Sequence, residues 1–324
     1  MKITSVDVLI IGGGPAGLAA AIELKKLGIK DVRIIEREAQ AGGVSRHSNH
    51  PGYGMRDLYR FMTGPNYAKA YVSQALSAGV VISTSTTATQ WGDDLVVELS
   101  GPDGVERVQA KAVVLATGAR ERARNARMIP GARPAGIYTT GSLQQAVFLS
   151  HLDIGTKAVI VGAEHVSFSA LMTLSHAHVK TIAMLTHQSG HQSVPGALAL
   201  SKLIYRYKFL DKSEIVEIIG SSRVSAIKIR DVHGNLSTIE CDTIIFTGDW
   251  IPDNEMARRG SLVIDPRTKS PMVNTSFVTS KPGVFALGNI LLPIKSADQC
   301  AVESRRAAKA IASHVVSVSV ASKG

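Results

Sequence analysis

Cysteine is almost missing: Cys241 and Cys300 are the two in 324 residues, and they lie far apart. They form neither a CxxC redox pair nor a zinc site, and such sparse usage suits a reducing cytoplasm. Long hydrophobic runs are missing as well. No stretch approaches the roughly 20 apolar residues that span a bilayer. The start, MKITSVDVLIIGGGPAG, breaks its apolar run with glycines before a signal-peptide core could form. Acid is the scarcer charge, with Asp+Glu 26 against Lys+Arg 36 and a net charge of +10. That balance admits nucleic acid or anionic metabolites, but nucleic-acid fold motifs are lacking, so nucleic acid is not expected as a partner. Membrane is not expected either. Hydrophobic residues make up 45% of the chain, which excludes wholesale disorder. A soluble cytoplasmic protein acting on a small molecule is expected, and at about 150 residues per domain the length suggests two domains.

What is present repeats itself. Residues 6–11 (VDVLII) read as a continuous apolar strand, followed by glycines and a helix-like LAAAIELKKLG, with Pro15 in the first helical turn and Gly28 at the stop. A second strand, VRIIE, covers 32–36. Residues 157–185 repeat strand, turn, helix and strand, and each copy has a closing strand, AVVLATGAR (112–120) and TIIFTGDW (243–250). Strands apolar throughout and joined by helices imply parallel sheets covered on both faces. The expected fold is therefore α/β, with two Rossmann-type, three-layer dinucleotide-binding domains. Residues 80–110 read as a β-meander with a GPDG turn, and 221–240 as a hairpin turning at HGN (233–235). Residues 65–78 read as a helix with Ala68, Tyr71, Val72, Ala75 and Leu76 on its inner face, and the tail from about 298 to 316 has helical spacing.

Gly12-x-Gly14-x-x-Gly17 follows a strand and opens a helix, the context that makes this motif specific. Gly12 allows the tight turn, Gly14 lets backbone approach a pyrophosphate, and Gly17 lets helix pack on strand. The helix N-terminus offers free N–H groups to phosphate. Glu36 ends the second strand, 19 residues past Gly17, placed to accept from an adenosine ribose.

DVLIIGGGPAG, the pair Gly42-Gly43, ATG (116–118) and GVFALGN (283–289) together resemble the FAD-binding half of the pyridine nucleotide-disulfide reductase superfamily, at the length of thioredoxin reductases. GGVSRHSNHPGYGMRD, TGARERARNARMIPGARPAGIYTTGSLQQAV and FTGDWIPD also resemble the flavoprotein subunits of opine, hydroxyproline and cyanide-forming glycine dehydrogenases. The resemblance implies a discontinuous FAD domain, 1–125 and 255–324, enclosing an NAD(P)-binding-like domain, 126–254. It implies that Gly12, Gly14, Pro15, Ala16 and Gly17 hold the FAD pyrophosphate, and that Glu36 and Arg37 lie at the adenosine ribose. Gly43, Val44 and Arg46 would follow the ribityl chain, Ala88 would meet the adenine, and Thr117 and Gly118 would close the pocket. Asn289 stands where the family has an Asp, keeping the acceptor without the charge. The helix start around Ala297 to Gln299 would face the flavin pyrimidine edge.

The second loop departs from the motif. Gly162 is kept, but Glu164 and Ser167 replace the second and third glycines, putting a side chain and a negative charge where backbone should approach a pyrophosphate. The strand end Met184-Leu185-Thr186-His187 offers no acid for an NAD ribose and no arginine for an NADP phosphate. A degenerate nucleotide loop is expected, and whether NAD(P) binds stays open. With no second cysteine beside Cys300, no redox dithiol is expected, and Cys300 reads as structural.

His47 and His50, with Arg46, are the catalytic candidates: a histidine could take the proton that accompanies C–H oxidation, and Arg46 could bind an anionic group. The alternative is that both histidines cap the glycine-rich loop. His-x-x-His alone is too thin for a metal, and none is expected. Arg120, Arg122, Arg124, Arg127 and Arg133 crowd one segment, either a solvated edge or an anion- or partner-binding one. The resulting expectation is an FAD-dependent oxidoreductase working through flavin N5, its donor an amine, an amino-acid derivative or a partner subunit. The alternatives are an NAD(P)H-dependent flavin or quinone reductase, and a non-catalytic FAD-binding partner of a heteromeric dehydrogenase. A homo-oligomer remains open.

Overall fold

The computed structural model describes residues 3–321. In chain order the elements begin β1 (Ile3–Ile11), α1 (Pro15–Lys26), β2 (Val32–Ile35), α2 (Gly64–Ser77), β3 (Val81–Ser83), β4 (Thr87–Trp91), β5 (Val96–Gly101) and β6 (Gly104–Leu115). Next come β7 (Ile137–Thr139), α3 (Thr140–Phe148), β8 (Lys157–Val161), α4 (His165–His176), β9 (Lys180–Leu185), α5 (Ala197–Tyr205) and β10 (Lys208–Leu210). The chain continues with β11 (Glu214–Gly220), β12 (Val224–Arg230), β13 (Leu236–Glu240), β14 (Thr243–Phe246), β15 (Val284–Ala286) and α6 (Ala297–Ala321). Two compact units result: of the described residues, unit 1 holds 3–46, 51–120 and 251–321, and unit 2 holds 47–50 and 121–250.

Unit 1 is built on a seven-stranded sheet in the order β3-β2-β1-β6-β5-β4, with β15 also paired to β6. Strands β3, β2, β1, β6 and β15 run parallel, and β4, β5 and β6 form an antiparallel meander. Alternation along β1 serves both faces. Val8 and Ile10 pack with Leu18, Tyr71 and Ile311 of the helices, and Leu9 and Ile11 pack with Val97, Leu99 and Leu262. Each such aliphatic chain, fully buried, contributes about 1.5–3 kcal/mol.

Unit 2 repeats the plan with a parallel sheet in the order β7-β14-β8-β9-β10. Ile160, Met184 and Ile245 face Leu143, Leu171 and Leu174 of α3 and α4. Val159, Leu185 and Phe246 face Ile218, Ile227 and Ile229 of the antiparallel sheet β11-β12-β13. The α/β class with two Rossmann-like units is what the sequence pattern implied.

Two local expectations change. The closing strand of the first unit is not separate from the meander: β6 runs unbroken over 12 residues, its first half on β5 and its length along β1. No glycine or proline interrupts 105–115, so nothing in the chain could break it. On α2, Leu76 is 56% exposed and Tyr67 takes its place on the inner face beside Ala68, Tyr71 and Ala75.

Candidate functional site

The end of β1 turns through Gly12 at φ +112, a conformation open to glycine, and a Cβ there would lie 2.4 Å from the Ala116 carbonyl oxygen. Gly17 sits on the first turn of α1, where a Cβ would come within 2.0 Å of the Gly12 carbonyl oxygen. Helix and strand are therefore in backbone contact, and only glycine fits between them. Gly14, the N-cap of α1, has the opposite surroundings: a Cβ would meet nothing closer than Gly43 Cα at 3.8 Å, so its backbone faces open space. Pro15 supplies no N–H, and Leu18 N donates to Gly14 O at 3.0 Å, the first bond of the helix. The N–H groups of Ala16 and Gly17 thus precede the ladder and have no intrahelical acceptor.

Glu36 is buried and fastened on both sides: Oε2 accepts from Gly13 N at 2.9 Å and Oε1 from Glu38 N at 3.0 Å. Each oxygen keeps a lone pair for a further donor. Arg37 reaches Asp253 Oδ2 at 3.0 Å with its side chain largely exposed. Gly42 N donates to Gly13 O at 2.7 Å, which holds the glycine pair beside the first loop, and Gly43 has φ +60. Val44 is exposed. Arg46 lies 3.9 Å from Glu38 Oε2, and its buried Nε has no hydrogen-bond partner among the described residues.

The remaining candidates of unit 1 lie on four other segments. Ala88 is buried on β4. Thr117 donates its hydroxyl to Asp253 O at 2.6 Å, and Gly118 at φ +75 has nothing within 4 Å of its Cβ position. Asn289 is occupied at both ends of its amide: Nδ2 donates to Lys295 O and Oδ1 accepts from Lys295 N, each at 3.1 Å. At the start of α6, Ala297 follows Ser296, whose hydroxyl accepts from Gln299 N at 3.3 Å. A glycine cradle, free helix donors, an anchored carboxylate and an orphaned buried guanidinium nitrogen together fit a dinucleotide.

In unit 2, Gly162 bends at φ +130 as in the first loop. The carboxylate of Glu164 then turns back over the loop. Its Oε2 accepts from Thr247 Oγ1 at 2.9 Å and from Ser167 Oγ at 3.2 Å, and the two hydroxyls lie 2.7 Å apart. Arg127 donates to Thr247 O and Gly248 O at 3.1 and 2.9 Å, bracing the strand end under the carboxylate. The acid at the second motif position is thus hydrogen-bonded inside its own loop.

Arg46 belongs to unit 1, His47 and His50 to unit 2. His47 is buried with Nε2 3.5 Å from Gln145 Nε2, and His50 is half-buried. In the arginine segment, Arg124 is buried and donates to Ile129 O and Gly131 O, Arg127 braces 247–248, and Arg122 meets Asp249 at 3.5 Å. These three brace the fold, and Arg120 and Arg133 remain exposed. Burial pushes the Glu121 carboxyl up, against the opposing pull of a bond from Gly141 N at 2.8 Å. The two thiols are buried, and desolvation pushes each up to about 12.

Sequence reasoning missed Asp57. It is buried and accepts at Oδ2 from both Tyr67 and Tyr71 hydroxyls at 2.6 Å. Its one signal is an acid in a segment where the histidines draw the eye. Among the described residues, no cluster of three or more His, Cys, Asp or Glu is arranged to hold a metal, and no helix is long and apolar enough to cross a membrane.

A family model described as pyridine nucleotide-disulphide oxidoreductase matches residues 6–313. The chain is similar to thioredoxin reductase of Mycolicibacterium smegmatis, 26% identical over 298 residues that cover 88% of each chain. It is similar to an opine oxidase subunit of Rhizobium meliloti, 23% identical over 313 residues, 87% of this chain and 58% of that one. The crystal structure of T. acidophilum thioredoxin reductase has the same fold, with a TM-score of 0.80 at 19% identity over 96% of this chain and 99% of that one.

Proposed function

The chain belongs to the pyridine nucleotide-disulphide oxidoreductase family, and from that premise we propose a FAD-dependent oxidoreductase that draws electrons from a donor other than NAD(P)H and uses no dithiol. That the chain is an oxidoreductase with FAD as its cofactor follows from the family. The finer reading is carried by one observation, the Glu164 carboxylate bonded to Thr247 and Ser167 inside the second loop. A dinucleotide entering there would bring its phosphates against a carboxylate, and Coulomb repulsion in a partly buried loop costs more than in water.

Bound FAD supplies two-electron redox chemistry at its isoalloxazine ring. The chain's own residues bind and orient it. Gly12, Gly14, Pro15, Ala16 and Gly17 would give the pyrophosphate a backbone cradle and free helix donors, and Glu36 and Arg37 would take the adenosine ribose. Gly43, Val44 and Arg46 would follow the ribityl chain, where the orphaned Nε of Arg46 has a donor to give. Ala88 would meet the adenine, Thr117 and Gly118 would close the pocket, Asn289 would stand at the ribityl hydroxyls, and the helix start at Ala297 would face the flavin edge.

Turnover without a dithiol has two supports. Cys241 stands in unit 2 and Cys300 in unit 1, with no CxxC pair. Thiols pushed up to about 12 carry almost no thiolate at neutral pH and make poor nucleophiles. The likeness to the opine oxidase subunit favours an amine or amino-acid derivative as donor, and also a second reading as the flavoprotein subunit of a heteromeric dehydrogenase. We assign proton removal to His50 or His47 and anchoring of a substrate carboxylate to Arg46; His50 is the more accessible histidine. The test is anaerobic mixing of the FAD-loaded protein with a panel of primary and secondary amino acids. Bleaching of the visible flavin band by one of them is expected. Silence across the panel, together with reduction by NADPH, would contradict the reading.

A further inference from the structure

The turn from Gly54 to Phe61 in unit 1 is held from below with unusual thoroughness. Asp57 Oδ2 accepts from Tyr67 and Tyr71 hydroxyls at 2.6 Å, and both tyrosines are fully buried. Arg305 donates to the Asp57 carbonyl at 3.1 Å and to the Tyr71 hydroxyl at 2.5 Å. The carboxylate of Asp298 accepts from Gly54 N and Arg56 N, each at 3.0 Å. Gly54 O in turn accepts from Leu58 N at 3.2 Å and Arg60 N at 3.0 Å.

Above this brace the same turn displays large side chains to solvent. Tyr59 is 89% exposed and Phe61 72% exposed, with Met55 exposed beside them. Tyr59 is held at φ +55, a conformation that a bulky residue seldom adopts. Strain of this kind persists where the surroundings over-determine it, and it gathers at functional sites. A connecting turn has no need of a buried carboxylate, two tyrosines and an arginine to present an aromatic ring to water.

Next to the turn lies a cavity of about 410 Å³, lined by Arg56, Phe277, Gln299, Val302, Glu303 and Arg306. Its one acid is already engaged: Lys295 Nζ reaches both Glu303 oxygens, at 2.7 and 2.6 Å. Among the described residues, no ion pair engages Arg56, Arg60 or Arg306. The turn and the cavity it adjoins through Arg56 thus carry exposed aromatic side chains and arginines that no ion pair engages. A second copy, in a chain of net charge +10, would bring the same cations to this face.

We infer that this turn and cavity are the docking surface for the acidic face of a different protein. Tyr59 and Phe61 serve as anchors, and Arg56, Arg60 and Arg306 meet the partner's carboxylates. Aromatic and arginine side chains fixed before binding are the residue types that carry interface energy. The inference deepens the partner clause of the proposed function, to which it gives a place on the molecule.

The test places the photo-crosslinker p-benzoylphenylalanine at position 61 of the full chain, produced and irradiated in its native cells. A discrete adduct with one acidic protein is expected. The double variant Arg56→Glu/Arg60→Glu should reduce that adduct at least tenfold while FAD content and thermal midpoint stay unchanged. An adduct indifferent to charge reversal, an adduct with a second copy of this chain, or no discrete adduct would overturn the inference. Flavin reduction by amino acids or NADPH is read separately, so failure of the proposed donor chemistry is distinguishable from failure of the docking surface.

Discussion

The Thr247 hydroxyl donates to Oε2 of Glu164 at 2.9 Å, tying the end of β14 to the loop that opens α4. The neighbouring positions are shaped around this bond. Gly248 has φ +63, and a Cβ there would lie 2.8 Å from the Glu164 carboxyl carbon. Ser167, where the motif has its third glycine, supplies a second donor to the same oxygen. Glu164 is thus integrated into the loop by two side-chain hydrogen bonds.

Replacing that anion is the first prediction. Glu164→Gly removes both bulk and charge, and NADPH affinity is expected to rise about tenfold or more, equivalent to about 1.4 kcal/mol. Glu164→Gln keeps the bulk and removes only the charge, so it should recover part of the gain. Titration of each variant with NADPH, followed by calorimetry, measures both effects. No gain in either variant would show that the obstruction lies elsewhere.

A second prediction separates glycines that matter from one that does not. Gly17→Ala drives a Cβ to 2.0 Å from the Gly12 carbonyl oxygen, so α1 must move off β1. The purified variant should carry little FAD, read as the ratio of visible to ultraviolet absorbance. Gly28→Ala meets instead a positive φ, +86, but open space. It should cost about 1–2 kcal/mol of stability and keep its flavin.

Much of this was legible in the sequence, for physical reasons. The first glycine loop, Glu36 and the doubled strand–helix–strand pattern are local, and local patterns are what periodicity reports. The loss of motif glycines at Glu164 and Ser167 was visible too. The bond that closes the loop was not, because Thr247 is distant in sequence and nothing marks a threonine as its partner. The arginine-rich segment read as either a solvated or a binding edge. Arg124 and Arg127 instead satisfy backbone carbonyls, a use that leaves no trace in composition. Asn289 matched a motif position, but its bonds to Lys295 depend on the following loop.

Asp57 gives the third prediction. Asp57→Ala leaves two buried tyrosine hydroxyls without their acceptor. Unfolding in urea should then show a loss of about 3 kcal/mol or more, since bonds to a charged acceptor contribute about 1.5–3 kcal/mol each. Tyr71→Phe removes one donor and should cost less. A stability unchanged by Asp57→Ala would mean that the network does not hold the turn.

Acid stability gives the fourth. Burial raises the Asp242 carboxyl, but bonds from the Thr156 hydroxyl, the Lys157 and Thr156 amides and the Thr243 hydroxyl together hold it below the usual carboxylate value. A carboxyl lowered on folding adds stability above its unfolded value, near 3.9, and loses it as pH falls through the lower folded value. Asp242→Asn should therefore have a lower thermal midpoint than the parent protein at pH 7. The two midpoints should converge at the acid end of a pH series, and a constant gap across the series would exclude this linkage.

The most direct measurement is anaerobic stopped-flow mixing of FAD-loaded protein with excess NADH and then NADPH, followed in the visible flavin band. With Glu164 filling the second loop, the band should stay unchanged over seconds with either nucleotide, while dithionite still bleaches it. Rapid bleaching by NADH or NADPH would contradict the closed loop and make the protein a nicotinamide-dependent reductase.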